Sequence, residues 1–192
     1  MTEDWEVSPM GFSFYHSLVD DDPKIAAPAL EALGRVAAGW SRLEHHLDAL
    51  IIQVNKPQYS ERLFEQHPVS FSKKLALLKK WFNNYPPLEK WQEDIRYLAS
   101  RLKILSKEDA QKFLSRNVLL HAIPASYNAE TETLTLHHLK FVGDQIHTRH
   151  IDVSLKQLST FFDLVQMANH LLGLITQELF TEEGHAQLEG RQ

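Results

Sequence analysis

The run ALEALGRVAAGWSRLEHHLDALIIQV, residues 29–54, decides the fold class. Its apolar residues recur as Leu33, Val36 and Ala37, Trp40, Leu43, Leu47, Leu50 and Ile51, and Val54. That is a 3.6-residue period over about six turns, and it predicts a long amphipathic helix. Upstream, Asp22-Pro23 is a start signal with Asp as N-cap and Pro in the first helical position, and Pro28 marks a restart. Lys56-Pro57 stops the helix.

Outward from this helix the same period returns. A short helical piece over Glu61–Gln66 runs into Pro68. Phe71, Leu75, Leu78 and Phe82 predict a second main helix over 70–84, closed by Pro86-Pro87. Leu88, Trp91, Ile95, Leu98 and Leu102 predict a third, to about Leu105. Ser106-Lys-Glu-Asp109 resembles a capping box and opens a fourth, which carries Ala110, Phe113, Leu114 and Val118 and ends at Pro124. The period then falls to two. Thr133–Leu136 and Ile146–Val153 alternate around Gly143-Asp144, which predicts a β-hairpin. Ser154–Gln157 is a second capping box and opens the last long helix, through Phe161, Leu164, Ala168, Leu171, Leu172, Ile175 and Leu179. The expected fold class is all-α in the main: an antiparallel bundle of four to five main helices, with the hairpin at about 131–153 inserted before the last one. Residues 1–22 form an irregular acidic arm with six acids and no Lys or Arg. Residues 23–182 form the single domain, and 183–192 a polar tail.

Composition bounds the chemistry. One domain is expected at 192 residues. With no Cys, a disulfide scaffold, a thiolate zinc site and a Cys nucleophile are excluded. No apolar run approaches the roughly 20 residues that span a bilayer, and the acidic N-terminus lacks the basic region of a secretory signal. No membrane role and a cytoplasmic location are therefore expected. A net charge of −5 argues against coating duplex DNA. The charge is uneven, however. Val69–Arg116 holds 11 basic residues and five acids, so it carries +6 and the remainder −11. That basic zone suits contact with a few RNA phosphates, or is ordinary helix-surface charge.

Histidine is abundant, at 11 residues, but its spacing does not build a metal site. His45 and His46 are adjacent on a helix and point about 100° apart, with His46 expected at the surface. His137 and His138 face opposite sides of a strand, and His147 and His150 have opposite parity. No metal or other cofactor is expected. Trp40, Trp81, Trp91 and the Phe residues read as core, and Lys73-Lys74 and Lys79-Lys80 as a solvated face.

The pattern that carries chemistry is Arg116-Asn117-Val-Leu-Leu-His121, placed near the end of the fourth helix. A second Arg-x4-His, Arg62–His67, has Leu after the Arg and Pro68 after the His, and is set aside as a decoy. Together with Phe71-Ser-Lys-Lys-Leu75 and Trp40-Ser-Arg-Leu-Glu44-His-His-Leu47, the chain resembles the HEPN (higher eukaryotes and prokaryotes nucleotide-binding) superfamily of small helical proteins, over roughly 29–121 and 154–180. Its signature is Arg, four to six residues, then His, often with a polar residue after the Arg. The resemblance implies metal-independent RNA cleavage in a homodimer, with the two sites meeting at a cleft. A toxin or defence setting, with a cognate antitoxin protein as partner, is implied with it. His121 would act as general base or acid, its unperturbed pKa of about 6.5 suiting either role. Arg116 would hold the phosphate through its planar fork of donors. Asn117 would orient the phosphate or the His ring, and Glu44 would set the His tautomer or pair with Arg116.

Each residue also has a purely structural reading. His121 then bonds a helix-end carbonyl, Arg116 makes an inter-helix ion pair with Glu44, and Asn117 satisfies a buried polar position. For Glu44, on or beside the core stripe, a structural ion pair is favoured because an unpaired carboxylate there is costly. Two other functions follow from these readings. One is a non-catalytic helical module binding a nucleotide, an RNA or a protein. The other is a His/Glu metal-dependent hydrolase in a four-helix bundle.

Overall fold

The computed structural model describes residues 6–9, 26–55, 68, 70–84, 86–106, 114–179 and 181. Its helices are α1 (Ala27–Asn55), α2 (Phe71–Asn84), α3 (Gln92–Ser106), α4 (Arg116–His121) and α5 (Leu155–Leu179). Its strands are β1 (Glu6–Pro9), β2 (Ile123–Asn128), β3 (Thr133–Val142) and β4 (Gln145–Ser154), joined in one antiparallel sheet ordered β1-β4-β3-β2. The described residues are mainly helical, with a small four-stranded sheet. Among the described residues no helix is long and apolar enough to cross a membrane.

The long periods fold as read. On α1, Val36, Trp40, Leu43, Leu47, Leu50 and Ile51 are all at most 1% exposed, and the helix ends one residue before Lys56-Pro57. Trp40 packs at a tilt against Phe71 of α2 and Phe161 of α5, with ring centroids 4.8 and 5.9 Å away. The capping box at the start of α5 is complete. Gln157 N–H donates to Ser154 Oγ at 3.2 Å, and Ser154 N–H donates to Gln157 Oε1 at 2.8 Å. The hairpin turn is Gly143-Asp144, with Gly143 at φ +62°, a conformation glycine adopts without strain.

The helices are not antiparallel throughout. α2 and α3 are, with Asn83 Oδ1 accepting from Gln92 and Arg96 across the bend. α1 and α5 instead run parallel. Arg35 lies over the Phe162 ring, Gly39 touches Phe162 and Val165, and the Gly39 carbonyl accepts from Asn169, so later residues meet later residues. The intervening elements carry the chain back between them. Gly39 permits the close approach, since a Cβ there would stand 3.3 Å from Phe162 and from Val165. Gly39→Val is therefore expected to lower stability by about 1–3 kcal/mol. Gly39→Ala should be close to neutral, because helix propensity offsets the tight contact by roughly 1 kcal/mol. Thermal unfolding of the two variants checks this order.

Other elements depart from the sequence reading. The hairpin is the centre of a sheet, because β1 and β2 add to its edges. The arm read as irregular thus contributes a strand, Glu6–Pro9, whose four residues are too few to show a period. β2 replaces the predicted end of the fourth helix. Pro124 sits in this edge strand, where its missing N–H costs no ladder bond, and the register shifts between Pro124 and Ser126. The fourth helix itself is shorter at its described end. Ser115, extended at φ −96° and ψ 153°, caps a new helix by accepting from Val118 N–H, so α4 begins at Arg116. The Ser106–Asp109 capping box lies outside the described residues beyond its first position, as do Ala110, Phe113, the Asp22-Pro23 start and the Glu61–Gln66 piece. The third helix opens with a 3-10 segment, Pro86–Trp91, that the two prolines favour. Trp91 is half-buried, and Lys74, read as solvated, is buried with its Nζ 2.7 Å from Asp48 Oδ2.

Candidate functional site

α4 is held between α1, α3 and β3. Val118 and Leu119 anchor it in the core at 4% and 7% exposure. Anchoring by those two residues turns Arg116 toward α1. There Arg116 Nη2 donates to Glu44 Oε1 at 3.1 Å, and Nη1 donates to Asn117 Oδ1 at 3.0 Å. Glu44 Oε1 also accepts from Trp40 Nε1 at 2.8 Å. The fully buried Trp40 thus fixes the carboxylate that fixes the guanidinium. Both charged side chains stay partly open, at 26% for Arg116 and 30% for Glu44. The Arg116 Nε is buried and has no hydrogen-bond partner among the described residues.

The fold therefore brings Arg116, Asn117 and Glu44 into direct contact. His121 lies apart, five residues further along α4, which is about 7.5 Å of rise and 140° of turn from Arg116. It is exposed, and among the described residues it makes no hydrogen bond or ion pair. Of a guanidinium's five N–H donors, two are spent on Glu44 and Asn117. One hydrogen remains on each terminal nitrogen of Arg116, enough for a bidentate grip on an oxyanion. Along α2, the 3-10 segment and α3, Lys73, Lys79, Lys80, Lys90, Arg96, Arg101 and Lys103 are exposed. Lys90 is paired with Glu178. The Arg62–His67 repeat of the pattern lies outside the described residues.

The remaining histidines are placed differently from their sequence reading. His46 is half-buried against α5 rather than exposed, because α5 covers that side of α1. Burial pushes its imidazole below the ordinary histidine value, neighbouring His45 and Arg42 add to this, and Asn169 opposes it. His137 and His150 meet across the hairpin with ring centroids 4.1 Å apart. A parity argument within each strand misses that meeting, but a two-residue turn at 143–144 already implies it by pairing every residue of β3 with one of β4. No group of three or more His, Asp or Glu side chains that could hold a metal ion occurs among the described residues. Comparison with protein-family models, with curated proteins and with solved structures found no match.

Proposed function

We propose that the protein is a HEPN-like endoribonuclease that cleaves RNA without a metal, through Arg116 and His121 in a homodimer cleft. The observation that carries the reading is the Trp40–Glu44–Arg116–Asn117 chain of contacts, which holds a partly open guanidinium on the same short helix as an exposed histidine. In this reaction the 2′-oxygen attacks the adjacent phosphorus as it loses its proton, and the P–O5′ bond breaks. The products are a 2′,3′-cyclic phosphate and a 5′-hydroxyl. His121 of one protomer takes the 2′ proton, and its counterpart in the second copy protonates the leaving oxygen. The two free Arg116 donors hold the non-bridging oxygens as charge builds on them. Glu44 and Asn117 act as positioning residues, and the exposed lysines of α2 steer the strand. The wider setting proposed is that of a toxin or defence protein.

Arg116→Ala is expected to lower cleavage by about 10²–10³-fold, the usual effect of removing a transition-state donor. Arg116→Lys keeps the charge but loses the fork, and should recover only part of that activity. A cleavage assay with EDTA present reads both. A second reading, a non-catalytic helical module, is favoured by one feature: the Arg116 charge is already paired with Glu44. That reading requires no cleavage by the parent protein, with a lower Tm for Arg116→Ala.

A further inference from the structure

We propose that His137 and His150 form a two-imidazole chelate for a divalent transition metal, on the face of the sheet turned away from the helical core. The register places them there. Leu134 pairs with Val153 and Leu136 with Ile151, and these residues pack on the helices. His137 and His150, of opposite parity, pair on the other face. The ladder is continuous from Thr133–Ser154 to Val142–Gln145, so the two Cα positions are set by nine other residue pairs. Such a chelate needs no loop ordering before it binds.

With metal–nitrogen bonds of about 2.1 Å, two coordinated rings at a right angle have centroids about 4.5 Å apart. The two rings stand 4.1 Å apart, so a small side-chain rotation lets both reach one ion. Two imidazoles with water in the remaining positions suit Cu(II) or Ni(II), which take nitrogen and oxygen ligands in tetragonal geometry. Two carboxylates on the same face supply a negative field. Asp152, which accepts the Thr135 hydroxyl at 2.7 Å, lies two residues from His150 on β4. Glu6, on β1, pairs with Thr148, two residues away in the other direction. This site is independent of the cleavage reading, because neither histidine belongs to the Arg116–His121 pair.

The test is calorimetric titration of the full chain, stripped with EDTA and dialysed, with nickel chloride at neutral pH. The proposal expects His137→Gln and His150→Gln each to weaken binding roughly tenfold or more. It expects the double variant to lose no more than either single one, since a chelate is a unit. His170→Gln, an exposed change on α5, should titrate like the parent. Metal-free thermal unfolding of the two Gln variants within about 2 °C of the parent shows the fold is kept. If both single variants bind as the parent does, or if their losses simply add, the chelate does not exist.

Discussion

His121→Ala should lower RNA cleavage by about 10²–10⁴-fold, the range that proton transfer by a positioned side chain contributes. Its stability should stay within about 0.5 kcal/mol of the parent, because the ring is exposed and bonded to no described residue. The two halves of that expectation separate chemistry from structure. A histidine that capped a helix-end carbonyl would lower Tm when removed and leave catalysis to others. His121→Gln is an informative companion, since it keeps hydrogen-bonding capacity and loses the proton exchange near neutrality. Equal loss in Ala and Gln variants, with unchanged Tm, assigns His121 to acid–base work. Cleavage at the parent rate in either variant removes it from the site.

The largest stability effect should come from Trp40. Its side chain is 1% exposed, packed between Phe71 and Phe161, and donates to Glu44. Trp40→Ala is expected to cost about 3–5 kcal/mol through lost burial and the cavity left behind. At roughly 2–4 °C per kcal/mol for a domain of this size, Tm should fall by about 6–20 °C. Trp40→Phe is gentler and more revealing. It keeps an aromatic ring against Phe71 and Phe161 but removes the only donor that the core sends to Glu44 among the described residues. A cost of about 1–2 kcal/mol is expected. Cleavage should fall further than that stability loss explains, because the Glu44–Arg116 geometry is released. Activity measured well below Tm, where the variant is folded, makes the comparison.

Much of this arrangement was legible in the chain. The α1 stripe from Val36 to Ile51 and the Ser154–Gln157 box are local signals with strong physics, and both folded as read. That Glu44 has a partner follows from a cost argument, since a carboxylate beside the core is expensive unpaired; of the two partners open to it, the His121 ring and Arg116, the fold supplies Arg116. What escaped was non-local. Ser115 caps α4 without the Glu or Gln three residues on that marks a capping box, since Val118 stands there. β1 and β2 are short edge strands, and β2 contains a proline, so pairing with β4 and β3 rather than propensity makes them strands. His137 and His150 are thirteen positions apart, and only the turn register joins them.

The most direct test of the central claim is end-group analysis by mass spectrometry, on a defined RNA incubated with the full chain in EDTA. The account predicts fragments ending in 2′,3′-cyclic phosphate and beginning with a 5′-hydroxyl, and at least about a hundredfold fewer from the Arg116→Ala or His121→Ala protein. Intact RNA, or fragments with 3′-hydroxyl and 5′-phosphate ends, would contradict it.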